Sequence, residues 1–145
     1  MPFSTTYANN ILNWAFGKSG SLSGHTKVYI GLCSNDPEAD GGTFNELSGN
    51  GYSRVLVSQY NEAFPDVIGT ASGRAITNPK QINWTKSTAA WATAKGFGLF
   101  TTETGGAPYF YGTLDTPVEV PQGAVALFDP NTLKISFPTT DVSTT

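Results

Sequence analysis

The chain has 145 residues, a net charge of −3 and a charged fraction of only 13%, against roughly 25% in ordinary soluble domains. It has no run of Lys or Arg that could hold a nucleic-acid backbone, and no stretch near the ~20 apolar residues of a membrane-spanning helix. We therefore expect neither nucleic acid nor a membrane as a partner. The start, MPFSTTYANN, lacks the charged and apolar regions of a secretion signal. Cys33 is the only cysteine, which excludes an internal disulfide and fits assembly in a reducing cytoplasm.

The segment STTYANNILNWAFG predicts one helix over about residues 4–16. Ser4 or Thr5 can cap its start, because a side-chain hydroxyl accepts from a free N–H of the first turn. Gly17 lies where a left-handed residue would end the helix. The spacing of apolar residues predicts one buried face, formed by Ala8, Ile11, Leu12 and Ala15.

The rest of the chain predicts strands from about residue 27 to 137, followed by a polar tail over 138–145. The apolar, β-branched segments KVYIGLCS and YSRVLVSQY are typical strands. RAITNPKQINWT predicts one broken or two short strands, with the break at Pro79, because proline lacks a donor for the ladder. KSTAAWAT, which follows, is either a turn of helix or a connection.

The last third of the sequence predicts two hairpins. KGFGLFTT and PYFYGTL flank the turn ETGGA, and AVALFD (124–129) and TLKISF (132–137) flank the turn PN. Many short strands with close turn signals favour a mainly β fold, an antiparallel β-sandwich or a jelly-roll-like barrel with one short N-terminal helix. We expect a single domain over 1–145.

The sequence offers little catalytic chemistry. His25, the only histidine, lies in a loop and is an improbable general base. Asp36, Glu38 and Asp40 lie close together before a glycine, a weak resemblance to a calcium loop or to a glycosidase carboxylate pair. Asp and Gly also build ordinary turns. We therefore favour a solvated loop, and predict no catalytic residue, no metal and no cofactor.

Aromatic residues are concentrated in GFGLFTTETGGAPYFYGTL, and they occupy both faces of the predicted hairpin. Phe97 and Leu99 share one face of the first strand while Phe100 takes the other. In the second strand Tyr109 and Tyr111 share a face. A sandwich covers only one face of each sheet, so the second face needs the helix, a loop or another subunit to cover it.

Some aromatic residues are candidates for binding a partner, since Tyr and Trp often anchor interfaces. The candidates for a protein interface are Tyr7, Trp14, Tyr109 and Tyr111. Trp84 and Trp91 are alternative candidates, as platforms on which a sugar ring stacks. For most of these rings, burial in the core is the simpler interpretation.

Three long segments resemble, in the same order, a family of small bacteriophage virion proteins of the tail-fibre-like or minor structural kind. They are STTYANNILNWAFG, then VYIGLCSNDPEADGGTFNELSGNGYSRVLV, then INWTKSTAAWATAKGFGLFTTETGGAPYFYGTLDTPVEVPQGAVALFDPNTLKISF. The shared features are turn glycines and strand cores, and no catalytic residue comes with them. The resemblance covers nearly the whole chain.

The resemblance implies a non-enzymatic structural protein of the phage particle, assembled in the host cytoplasm and associated with tail fibre, baseplate or capsid. Its partners would be other virion proteins and further copies of itself in a symmetric assembly. A carbohydrate-binding module that recognises host-surface glycans is the alternative. A hydrolase that uses the carboxylates at positions 36, 38 and 40 ranks third.

Overall fold

The computed structural model describes residues 4–18, 27–59, 68 and 75–136. Within these ranges the fold is mainly β, with antiparallel sheets, one helix and no closed barrel. In chain order the elements are α1 (Thr5–Ala15), β1 (Lys27–Cys33), β2 (Val55–Gln59), β3 (Ala75–Thr77), β4 (Ile82–Asn83), β5 (Ala94–Phe100), β6 (Phe110–Val118), β7 (Leu127–Phe128) and β8 (Lys134–Ser136).

The ends of α1 confirm the local signals in the sequence. The Ser4 hydroxyl oxygen accepts a hydrogen bond from the Tyr7 N–H at 3.3 Å, so it caps the first turn. The helix ends at Ala15, and Gly17 follows with φ of 66°, the left-handed conformation that glycine adopts without strain. Capping and termination are local, which is why the sequence was sufficient to locate both ends.

The predicted buried face of α1 is wrong. Leu12 keeps 55% of its surface exposed, Ala15 is exposed as well, and Ala8 and Ile11 are only half-buried. The spacing of apolar residues identifies which side of a helix is apolar, but it does not tell whether another part of the same chain covers that side.

Four strands form the main sheet in the order β2-β1-β5-β6, and every neighbouring pair is antiparallel. The register places Ile30 opposite Leu99 and Leu32 opposite Phe97. All four side chains are buried and lie on one face, which is the core face of the sheet. The predicted β5–β6 hairpin is confirmed.

Two small sheets, β3–β8 and β4–β7, complete the core. They and the connections around them supply side chains that pack with the core face of the main sheet. The buried members from this part of the chain are Ile82, Trp84, Trp91, Val120, Ala126 and Leu133.

The predicted second hairpin is wrong. The segments 124–129 and 132–137 do not pair with each other within the described residues: β7 pairs with β4, and β8 pairs with β3. The fully buried Asn78 lies where these two ladders are interrupted. Its side-chain amide donates to the carbonyl oxygen of Asp129 at 2.9 Å, and its Oδ1 accepts from the Leu133 N–H at 2.9 Å. The predicted break at Pro79, between β3 and β4, is confirmed.

The opposite face of the main sheet is rich in glycine and is covered by the connection from β1 to β2. A Cβ at Gly96 would lie only 2.5 Å from Pro37 Cδ, so the absence of a side chain lets this connection approach the sheet. Phe44 packs edge-on against Phe100, with ring centroids 5.4 Å apart. A loop therefore covers this part of the second face. Cys33 is buried there too, and burial raises the pKa of its thiol to about 12.

Candidate interaction surfaces

The loop between β5 and β6, residues 101–107, is exposed along its whole length. It is held from below by Arg54, whose Nη1 donates to the carbonyl oxygens of Thr102 at 2.9 Å and Gly105 at 2.8 Å. The Thr102 hydroxyl also donates within the loop, to the Thr104 carbonyl oxygen at 3.0 Å. The loop is therefore an exposed polar surface with a fixed backbone.

Arg54 is only 7% exposed, and its charge is fully paired. Its Nε and Nη2 donate to the two carboxylate oxygens of Glu46 at 2.8 and 2.7 Å. Its Cζ lies 3.4 Å from the centroid of the Phe100 ring, a favourable cation–π arrangement. A buried ion pair needs such complete partnering, because desolvation of the two charges opposes their attraction.

Tyr52 and Gly31 complete this network. The Tyr52 hydroxyl donates to Glu46 Oε1 and accepts from the Leu32 N–H, both at 2.9 Å, and burial raises the pKa of Tyr52 above its usual value. A Cβ at Gly31 would lie 2.9 Å from the Tyr52 hydroxyl oxygen, so a glycine leaves room for these groups. This network was not predicted from the sequence. Its signals there are a charged residue, Arg54, next to an apolar strand and a glycine, Gly31, in the middle of another.

Asp36 and Glu38, two of the acidic residues that weakly resemble a calcium loop, hold the β1–β2 connection against β6. Asp36 accepts from the Thr113 hydroxyl and from the N–H groups of Glu38 and Ala39. Glu38 Oε2 accepts from the Thr113 N–H at 3.0 Å. Donation by the Thr113 hydroxyl, and then by the two backbone groups, lowers the pKa of Asp36.

These hydrogen bonds satisfy the carboxylates with donors of the chain itself. Asp40 accepts from the Asn35 side-chain amide at 2.9 Å. Within the described ranges, no three Asp, Glu, His or Cys side chains come together as a group that could hold a metal. The geometry fits a structured turn.

Trp84 and Trp91 lie in the core, 3% and 8% exposed. Trp91 Nε1 donates to the Asn50 carbonyl oxygen at 2.8 Å, whereas the buried Trp84 Nε1 has no hydrogen-bond partner in the described structure. A sugar stacks on an open ring face, and neither indole offers one. The burial argues against the predicted glycan platforms.

The predicted interface tyrosines all contact other parts of the same chain. Tyr7 packs against Tyr109 with ring centroids 5.0 Å apart, and burial raises the pKa of both hydroxyls. The Tyr111 hydroxyl lies close above Gly42, 3.1 Å from where a Cβ would stand. The side chain of Trp14 and all of His25 lie outside the described part of the chain.

The first turn of α1 is attached to the main sheet, and its later turns expose apolar side chains. The Ser4 N–H donates to the Tyr109 carbonyl oxygen at 3.0 Å, next to the Tyr7–Tyr109 contact. Further along, Leu12 and Phe16 are 55% and 74% exposed. The sequence of α1, TTYANNILNWA, contains no charged residue. Phe16 directly follows α1, and its N–H donates to the Leu12 carbonyl oxygen at 3.0 Å, so it continues the last turn. Leu12 and Phe16 together are called the outer side of α1, and they are the two most exposed large apolar residues of the described chain.

Comparisons with known proteins identify the family. A search among curated proteins finds no match. Among the described residues, no helix has the length and hydropathy needed to cross a membrane. The sequence model of the family described as podophage GP4 fiber I protein gp80 matches residues 2–136. That match includes α1 and all eight strands, so the chain belongs to the podophage GP4 fiber I protein gp80 family.

Proposed function

We propose that this protein is a non-enzymatic structural component of a phage fibre, and that it attaches to other virion proteins through the outer side of α1. The family match supports a fibre component. The observation that carries the attachment site is the exposure of Leu12 and Phe16 on a helix without charge. Tyr7 and Tyr109 would support this interface by joining the helix to the sheet, and Trp14 is a further candidate because it belongs to the same helix.

An amphipathic helix typically binds by placing its apolar side in a groove of the partner. Complete burial of a fully exposed side chain of this size contributes about 1.5–3 kcal/mol. Leu12 and Phe16, which are 55% and 74% exposed, would each contribute part of that. This is a modest contact for one copy. In a symmetric assembly the same contact is repeated in every copy, and multivalency raises the overall affinity far above that of a single contact.

The test is incorporation of a Leu12→Ser/Phe16→Ser variant into phage particles produced without the wild-type protein. We expect incorporation to fall by at least about tenfold, which corresponds to the loss of about 1.4 kcal/mol, and the thermal unfolding midpoint to stay unchanged. Val125→Ser/Leu127→Ser is the matched control, because those residues are 46% and 42% exposed and lie outside α1. Normal incorporation of the α1 variant, or an equal loss in the control, would contradict the proposed attachment site.

Two tyrosine variants separate the helix from the hairpin. Tyr109→Ala removes the ring against which Tyr7 packs, so it tests whether attachment requires α1 to be held at the sheet. Tyr111→Ala changes a half-buried ring on β6 that lies against Gly42 in the β1–β2 connection. If only Tyr111→Ala prevents incorporation, the hairpin is the contact and α1 is not.

Recognition of a host-surface glycan is a second candidate function. The exposed loop 101–107 is a better candidate for the glycan-binding site than the two buried tryptophans. The loop presents threonine hydroxyls and Glu103, which can hydrogen-bond sugar hydroxyls, and Arg54 fixes its backbone before binding. Glycan-array binding that is lost in Glu103→Gln/Thr104→Ala would support this function. An absence of binding by the wild-type protein would remove it.

A further inference from the structure

Among the described residues, strand β6 ends the main sheet and pairs with β5 alone. An edge strand presents N–H and C=O groups on which another chain can add a strand, and natural proteins cover or charge such edges. In an antiparallel pair, successive residues direct their N–H groups alternately toward the neighbouring strand and away from it. The groups that point away from β5 decide whether this edge is open.

Thr113 occupies such an outward position. Its N–H donates to Glu38 Oε2 at 3.0 Å instead of to β5, and its hydroxyl donates to Asp36. One residue of the edge is therefore bonded by two carboxylates through both its backbone and its side chain. Asp36 is oriented in turn by the N–H groups of Glu38 and Ala39, each at 3.1 Å.

The segment that carries these carboxylates is seated on the sheet on either side of Thr113. Pro37 is buried over Gly96, the residue that pairs with Thr113 across the β5–β6 ladder. Gly42 lies against the Tyr111 ring, two residues away along β6. Residues 36–42 therefore lie along the edge and carry negative charge at the position where an added strand would bond.

We propose that residues 36–42 are an edge guard, which prevents a second copy of this chain from adding to β6 by strand pairing. The partner is a second copy because the symmetric assembly of the proposed function, on which this choice rests, would bring identical chains together at high local concentration. Identical edges can pair across a two-fold axis. The guard replaces the acceptor that an incoming strand would supply, and it places a carboxylate where two such edges would meet. This inference does not depend on α1 as the attachment site.

The experiment uses the Leu12→Ser/Phe16→Ser variant as its starting protein, because this variant lacks the proposed contact through α1. Any association that appears then comes from the β6 edge, so the edge proposal and the α1 proposal can fail independently. Asp36→Ala/Glu38→Ala is added, and mass is measured by light scattering after size exclusion, together with hydrogen exchange. We expect the Thr113 amide to exchange at least about tenfold faster at low protein concentration, and dimers or larger species to form as concentration rises. Asp40→Ala is the matched control, since Asp40 bonds Asn35 and not β6, and it should remain monomeric.

A third substitution locates the new contact. Thr113→Pro removes the donor that an added strand needs, and proline is tolerated at sheet edges, so its addition should restore the monomer. Circular dichroism verifies that each variant is folded. Glu38→Gln alone is the mildest change, because glutamine keeps an oxygen acceptor, and this variant should remain monomeric. A monomer with a rapidly exchanging Thr113 amide at high concentration, or oligomers that persist with Thr113→Pro, would overturn the proposal.

Discussion

Loop 101–107 and helix α1 both reach the surface, but the chain holds them in opposite ways. The loop is polar and exposed. The buried guanidinium of Arg54, which is paired with Glu46, donates hydrogen bonds to the loop backbone. The helix is attached at its first turn, by Ser4 and Tyr7, and exposes Leu12 and Phe16 beyond it. Contiguous exposed apolar surface is a common mark of an interaction site. This difference is the basis for our proposal that the sheet supplies stability and that α1 supplies the contact area for a partner.

The largest effect should follow from Glu46→Gln. This change leaves the Arg54 guanidinium buried without its counter-charge, and removal of one partner of a buried pair costs several kcal/mol. We expect a loss of roughly 3 kcal/mol, at the low end of that range, because the Glu46 side chain keeps 25% of its surface exposed. Urea unfolding measures it.

A double variant is the control for Glu46→Gln. Glu46→Gln/Arg54→Met removes the buried charge altogether, so it should recover part of the lost stability, as replacement of buried ion pairs by apolar residues often does. A loss below about 0.5 kcal/mol in the single variant, the usual size of a surface change, would show that this pair does not stabilise the sheet.

A smaller effect, still in the sheet, should follow from Gly96→Ala. The added methyl group would meet Pro37 Cδ at 2.5 Å and the Gly112 carbonyl oxygen at 2.9 Å, and overpacking of this kind costs about 1–3 kcal/mol. The β1–β2 connection would have to shift, so the Thr113 amide should also exchange faster.

Gly41→Ala is the comparison for Gly96→Ala. Gly41 has φ of 65° and nothing within 4 Å of an added Cβ, so its cost is backbone strain alone, about 1–2 kcal/mol. Equal losses of stability in the two variants, with no change in Thr113 exchange, would show that close packing under Pro37 is unimportant.

Ser4→Ala should affect only the helix. The cap that the Ser4 hydroxyl provides to the Tyr7 N–H contributes about 1 kcal/mol, and its loss should speed amide exchange in α1. If the helix and the sheet are separate cooperative units, exchange in β1 and β5 should not change. A parallel increase in those strands would show that α1 and the sheet unfold together, and would weaken the comparison.

Features fixed by neighbouring residues could be predicted from the sequence. The helix ends followed from Ser4 and Gly17, the β5–β6 hairpin from the turn ETGGA, and the break between β3 and β4 from Pro79. The pairing of β7 and β8 could not be predicted, since the turn PN favoured a local hairpin. The pairing depends instead on Asn78, whose partners lie about fifty residues away in sequence.

The candidate surfaces were less predictable than the fold, because each depends on contacts between distant segments. Arg54 donates to the carbonyl oxygen of Thr102, 48 residues away in sequence, and no short motif predicts such a contact. The carboxylates before β2 were interpreted as a solvated turn, and nothing in their spacing indicated that Asp36 and Glu38 bond Thr113. The exposed side of α1 was expected to be buried, because the periodicity of apolar residues is the same whether the covering surface belongs to this chain or to a partner.

The smallest effect should appear on acidification, and it should again separate the sheet from the helix. Asp36 has a pKa below its ordinary value of 3.8, since the Thr113 hydroxyl donates to its charged form. The stabilisation it provides is fully present above that ordinary value and is lost as pH falls below it through the pKa in the folded protein. The Thr113 amide resonance should therefore shift as the pH falls below 3.8, and Asp36→Asn should abolish the shift. Helix α1 contains no acidic or basic residue, so its resonances should stay unchanged over the same range. A transition that persists in Asp36→Asn would show that Asp36 is not its source, and a simultaneous change in α1 would show that acid destabilises the whole fold.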